Sequence, residues 1–344
     1  MNQIKPIITS EALSDYDLFP GFSTQEAVGK YFARFPELHT AFCKLPPSVQ
    51  NAFFNYATGK HGLPTTYDSV FQRIFKPDIH QERLSELISS ILGQKVHIID
   101  ILPREGSQLV EKGSFIIMDA LVRLSDGTYA NIEMQKIGYQ FPLSRADCYT
   151  SDVIMRQYVR LKNELGQKFN FRQMQKVYCI ILMETSPAPF HEVPDIYLHH
   201  RKPTFDSGIY KNDSGLHEDI FICLDTFHSN IHTINKDSSM QDAWFSFLSA
   251  TDLETIHTLI TNFPEFKTIY QEIADFFRDP KELMNMFSDE LRIMDRNTER
   301  LMVNDLQNAL IEKDNLLSEK DNLLFEKEKQ IAFLEAQIAQ LTKQ

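Results

Sequence analysis

The hydrophobic and polar positions fall into three regimes along the chain. Up to about residue 62 apolar residues recur at helical spacing. There "STQEAVGKYFARF" opens on an N-cap and "PPSVQNAFFNYATGKHG" runs out on Gly and Lys, as helix ends do. "GLPTT" (62–66) reads as a linker. Beyond it the pattern mixes periods. "HQERLSELISSILG" (80–93) sets Leu84, Leu87, Ile88, Ile91 and Leu92 on one stripe and stops at a glycine, which predicts an amphipathic helix. "KVHIIDIL" (95–102) predicts a strand, and 115–135 predicts a hairpin around Ser125-Asp126-Gly127. A second helix is expected over 141–166, again ending in Gly. "KVYCIILMET" (176–185) is nearly continuous apolar sequence, as a central strand would be, with Pro187 and Pro189 ending it. The expected order is therefore α-β-β-β-α-β.

The pattern weakens after that. "PDIYLHHRKPTFDSGIYKNDSG" reads as a loop, "DIFICLDTF" (219–227) as one further strand, and 240–285 as helical. In the tail, "EKDNLLS EKDNLLF EKEKQIA" repeats every seven residues. Leu310, Leu317, Leu324, Ile331 and Ile338 mark a heptad seam, completed by Leu334 and Leu341, which predicts a coiled coil over 306–344. A self-complementary seam of this kind most simply pairs copies of the chain.

The hairpin carries two residues its pattern does not need. Asp119 lies inside "FIIMDALV" and Glu133 follows "YANI", and a buried carboxylate is costly without a partner. A two-residue Asp-Gly turn would set Asp119 opposite Met134. A three-residue loop with Gly127 in the left-handed position would instead set it opposite Glu133, so that Asp119, Glu133 and Gln135 converge on one face. Two adjacent carboxylates favour a shared proton or a divalent cation between them, and hard oxygen donors suit Mg²⁺, with Mn²⁺ as a substitute. That donor set fits phosphodiester hydrolysis. An ordinary solvated hairpin face accounts for the two acids equally well.

On the 141–166 helix Arg145, Tyr149, Asp152, Arg156 and Arg160 form one polar stripe, with Leu143, Ile154, Tyr158 and Leu161 expected to face the core. The stripe reads either as a phosphate-contacting surface or as a solvated face with an Arg-Asp pair. Between Lys136 and Lys176 there are eight basic side chains against three acidic ones, a local excess of positive charge that a phosphate backbone would need.

Composition narrows the field further. The 42% hydrophobic content and 26 Phe of this 344-residue chain build a substantial core, and the net charge of -12 excludes a protein that is basic all over and coats nucleic acid. Four scattered cysteines suit reduced thiols, "MNQIKPIITSEALSDYD" has no sustained apolar core of the signal-peptide kind, and no apolar run approaches membrane-helix length. The expectation is a soluble, cytoplasmic protein. His199-His200 and the other histidines lack metal-ligand spacing, and no Gly-rich phosphate loop or Ser-His-Asp arrangement is legible.

The ordered set of D-x-V-F, E-R-L on a helix, a strand Asp, an Asp-Gly turn, E-x-Q and R-x-x-x-Y resembles the PD-(D/E)XK nuclease superfamily. Within it, the chain is similar to the recombination-promoting nucleases, also described as transposases, over about 66–230. The resemblance implies a restriction-endonuclease-like αβββαβ core of class α/β at 66–235, flanked by a helical N-terminal segment (1–62), a helical region (236–300) and the coiled coil. It implies an Mg²⁺-dependent DNA endonuclease that promotes recombination or transposition. Asp119 and Glu133 would be metal ligands together with the Met134 backbone carbonyl, Gln135 would stand where most of the superfamily has Lys, and Glu82 would be an auxiliary acid. Arg145, Tyr149 and Arg156 would contact DNA. The loss of the Lys charge at Gln135 also admits a catalytically weak DNA-binding or assembly protein with the same fold.

Overall fold

The computed structural model describes residues 18–19, 24–103, 119–137, 143–209, 215–230 and 234–289, with seven helical positions between 313 and 329. The chain divides into two compact units, 1–290 and 291–344. The heptad tail lies almost wholly outside the described residues. Among its described positions Leu317 and Leu324 are helical and exposed.

The first unit is mixed α/β. Its six-stranded sheet comprises β1 (Ile98–Ile101), β2 (Ala120–Leu124), β3 (Tyr129–Ile137), β4 (Val177–Thr185), β5 (Leu198–Arg201) and β6 (His217–Cys223). The spatial order is β1-β2-β3-β4-β6-β5. The hairpin strands and the β5–β6 edge pair are antiparallel, whereas β3, β4 and β6 run parallel. β4 sits at the centre, and its run from Cys179 to Met183 is buried on both faces, as its unbroken apolar sequence requires.

Helices α1 (Gln25–Phe32), α2 (Pro36–Lys44) and α3 (Pro47–Ala57) precede the sheet, with α4 (Asp68–Phe75) and α5 (Gln81–Leu92) leading into it. Thr24 caps α1 by accepting from the Ala27 N–H, and α5 ends at Gly93 with φ of 66°. The long helix α6 (Leu143–Leu165) connects β3 to β4 and covers one face of the sheet. Ala146, Tyr149 and Val153 pack there on Leu121, Tyr129, Ile181 and Phe221. A short α7 (Leu224–Asn230), then α8 (Met240–Ser249), α9 (Leu253–Asn262), α10 (Glu265–Phe276) and a last helix at 280–289 follow β6. Phe32, Phe42 and Phe53 form one ring cluster. Phe53 continues it to Phe287, and Tyr56 meets Phe277, so the first helices and the last ones share a core.

Three sequence expectations need correction. Residues 198–201, read as loop, form an edge strand, because pairing with β6 supplies the order that four residues cannot supply alone. The 219–227 segment is strand only to Cys223 and then turns into α7, where Asp225 accepts from its own Thr226 N–H and from the Ser186 N–H. The polar stripe of α6 points inward. Tyr149 and Asp152 are buried while Leu143, Met155 and Val159 are exposed, and Tyr158 is half-buried against Phe169 and Phe171. No helix among the described residues is long and apolar enough to cross a membrane.

Candidate active site

The hairpin turn sets the register. Leu124 N–H donates to Thr128 O and Gly127 N–H to Leu124 O, closing a three-residue loop with Gly127 at φ of 91°. An L side chain is strained at that φ, so glycine fixes the loop type. Ala120 then pairs with Ile132 and Leu121 with Asn131, and continuing by one position sets Asp119 opposite Glu133. The Asp119 carboxylate accepts from the Met134 N–H at 2.8 Å, which anchors it at the Glu133 end of β3.

Glu133 is sealed at 1% exposure, on the face covered by α6. Asn131, two residues back on the same face and fully buried, donates from Nδ2 to Glu133 Oε1 at 3.2 Å. No ion pair reaches Glu133 among the described residues. Burial, and then the neighbouring Asp119 charge, push the Glu133 carboxyl well above the usual carboxylate range; the Arg145 charge and the Asn131 hydrogen bond oppose this without overcoming it. Arg145, on the first turn of α6, donates from Nε to the Tyr149 hydroxyl at 2.8 Å. Burial and the Glu133 charge raise the Tyr149 phenol to about 12, so it stays protonated at neutral pH. Gln135 continues the Asn131-Glu133 row and is half-buried. Lys136 points to the opposite face, where its ammonium lies 4.0 Å from the Tyr67 ring centroid, at the start of α4.

The structure thus brings Asp119, Glu133, Arg145 and Tyr149 together, with Gln135 next in line. Glu82 is not brought to them. It lines a shallow groove with Lys95, His97 and Glu265, and its helix is fastened at Gln81 to the Ile98 carbonyl, opposite Leu124 at the turn end of the hairpin. Arg156 is occupied elsewhere, paired with the buried Asp152 at 2.6 Å and donating to the Pro103 carbonyl. Arg160 likewise turns in to the Tyr129 hydroxyl.

The donor chemistry fits a hard divalent cation. Two neighbouring carboxylates, one of them sealed and with its carboxyl pushed up by burial and then by the charge of the other, are hard oxygen donors of the kind such an ion takes. Asp119, Glu133 and the Met134 carbonyl are the groups of this chain that would hold it.

Two further clusters were not legible in the sequence. Asp147, His217 and Asp219 offer ligand atoms within 4.8 Å of one another. The Arg201 guanidinium already bonds both carboxylates there, so the cluster carries its own cation. Ser186, His191 and Asp225 also meet, but His191 Nε2 faces both the Ser186 hydroxyl (2.9 Å) and Asp225 (3.1 Å), and Ser186 bonds Asp225 directly. A proton relay needs the serine and the acid on different ring nitrogens, so this trio caps α7 rather than activating a nucleophile. Neither was visible beforehand, because each joins segments far apart in the chain.

No curated protein and no solved structure matches the chain. A sequence-family model described as PD-(D/E)XK nuclease family transposase matches residues 65–300, which spans α4 through the last described helix and the whole sheet. With Asp119 and Glu133 set at one end of the hairpin in that matched region, the chain belongs to the PD-(D/E)XK nuclease family transposases.

Proposed function

We propose that this chain hydrolyses DNA phosphodiester bonds as a Mg²⁺-dependent endonuclease acting in recombination or transposition, with the active site at the Asp119–Glu133 end of the hairpin. The observation that carries the reading is the convergence of these two acids, one of them buried with no ion pair among the described residues, in a member of a nuclease-transposase family. A divalent cation bound there would supply Lewis acidity at a phosphoryl oxygen and lower the pKa of a water. The chain's own groups do the rest. Glu133 and Asp119 would hold the ion through their carboxylate oxygens. Gln135 hydrogen-bonds and orients the attacking water. Arg145, its guanidinium set by the Tyr149 hydroxyl, faces the negative charge that grows on the phosphoryl group. Glu82 and Arg156 have no part in this reading, since the first lies at the other end of the hairpin and the second is spent on Asp152.

A second reading rests on one residue. Gln135 brings no positive charge, which favours a protein that binds DNA and cuts it slowly or not at all. Plasmid cleavage with Mg²⁺, Mn²⁺ or EDTA separates the two. Under the first reading nicking needs the metal and disappears in both Asp119→Ala and Glu133→Ala. Well-folded protein that shifts DNA but never nicks it would replace that reading with the second.

The heptad tail extends the proposal to a homo-oligomer that presents two sites to one duplex. Deleting 306–344 should lower the mass measured by light scattering while the far-UV spectrum keeps its strand content. An unchanged mass would remove the tail from assembly.

A further inference from the structure

The end of α6 and the turn after it carry a group of side chains that the active site does not use. Phe171 is 71% exposed, the most exposed of the large apolar side chains described. It lies nearly parallel to Tyr158, with planes 9° apart and centroids 6.0 Å apart, and Phe169 stands edge-on to both, at 5.4 Å from Tyr158 and 5.2 Å from Phe171. The turn is held in place from within. The Asn170 side chain accepts from the Arg172 N–H, and Gln173 reaches back to the Asn170 N–H, so Phe171 is displayed on a braced 3₁₀ turn.

Three exposed cations belong to the same helix end and turn: Lys162, whose ammonium lies 5.4 Å from the Phe169 centroid, and Lys168 and Arg172, the chain neighbours of Phe169 and Phe171. Among the described residues no carboxylate pairs with any of them. An exposed aromatic face costs solvation, and unpaired cations repel one another, so the patch is complementary to something flat and anionic. Unstacked nucleobases on a phosphate backbone meet both demands. A duplex meets only the second, because its bases are already stacked.

We infer that Phe171 and Tyr158, flanked by Lys168 and Arg172, form a docking platform for single-stranded nucleic acid, on which a base stacks against Phe171 while its phosphates meet the cations. This rests on and deepens the proposed DNA reading by naming the form of strand held at the far end of α6 from the site. It does not require cleavage.

The test is anisotropy titration of the full chain in EDTA with a fluorescein-labelled oligothymidylate and, separately, a duplex of equal length. Phe171→Ala should weaken single-strand binding by roughly five- to a hundredfold, the range a stacked base contributes, and change duplex binding much less. Phe171→Trp should retain the affinity. Lys168→Gln with Arg172→Gln should lower the slope of log affinity against log salt by about 0.7 for each charge removed. Because Phe171 is mostly exposed, its loss leaves the fold intact, which circular dichroism checks. Unchanged single-strand affinity in Phe171→Ala overturns the inference, as does wild-type protein that does not bind the oligonucleotide. A change in sedimenting mass with affinity unaltered also overturns it, and reassigns the patch to contact between copies. Cleavage data are independent: a protein that nicks plasmid but fails these titrations loses the platform alone. One that passes them without nicking loses only the nuclease reading.

Discussion

Two glutamates in the central strands show how one residue type comes to opposite states. Glu133 on β3 and Glu218 on β6 are both sealed, at 1% and 4% exposure. Burial raises both carboxyls. At Glu218 the bonds from His200, Lys202 and Lys176 outweigh burial and hold it below the usual carboxylate range. At Glu133 burial and the neighbouring Asp119 charge outweigh the Arg145 charge and the Asn131 hydrogen bond, and the carboxyl is pushed up. A fold that only needed polar residues in its sheet would satisfy both in the same way. The contrast marks Glu218, like Asp219 with its Arg201 and His217 partners, as a structural ion-pair centre. It marks Glu133 as a group kept short of positive charge, a condition associated with functional sites.

The strongest way to break the comparison is to remove each acid and assay cleavage. Glu133→Ala should fall to the level of the EDTA control, whereas Glu218→Ala should still nick plasmid at any temperature where it remains folded. Equal losses in the two variants, at equal fraction folded, would erase the distinction.

Stability sharpens it next. Glu218→Gln strips two partly exposed lysines and His200 of their carboxylate partner and should cost about 1–2 kcal/mol at neutral pH, by urea titration. The native pKa of Glu218 is depressed, so its contribution is present above the ordinary carboxylate pKa and is lost as pH falls through the lower native value. The variant and the wild type should therefore converge in acid.

The smallest effect has the opposite sign. The native pKa of Glu133 is raised, so its stabilising share is complete below the ordinary carboxylate pKa and is lost as pH rises through the native value. In EDTA at neutral pH, Glu133→Gln should be about 1 kcal/mol more stable than wild type, with the gain vanishing near about pH 4. A neutral-pH loss would mean that Glu133 is structurally compensated after all.

Much of the site was legible because it is local. Gly127 selects the three-residue loop, the loop selects the register, and the register sets Asp119 against Glu133. The orientation of α6 was not legible. Its polar stripe looked like a solvated or DNA-facing surface, yet Asp152 and Tyr149 are buried, because Arg156 pairs with Asp152 and Arg145 with Tyr149. Periodicity identifies a stripe, but it cannot say which side the sheet will take when polar side chains satisfy one another inside.

By itself the sequence determined most of the helix and strand runs, the helix ends at Gly93 and Gly166, the central apolar strand, the hairpin with its two candidate loops, and the acids that one of those loops would join. These depend on interactions within a few residues or on a two-residue period. Only the tertiary structure decided which buried glutamate gains basic partners, that Arg201 fills the Asp147–Asp219 cluster, that Glu82 stands apart, and that Phe171 is displayed on a turn whose cations meet no carboxylate among the described residues. The reason is that charge compensation and exposure depend on distance in space, and the side chains that settle them are often tens of residues or more apart in the chain.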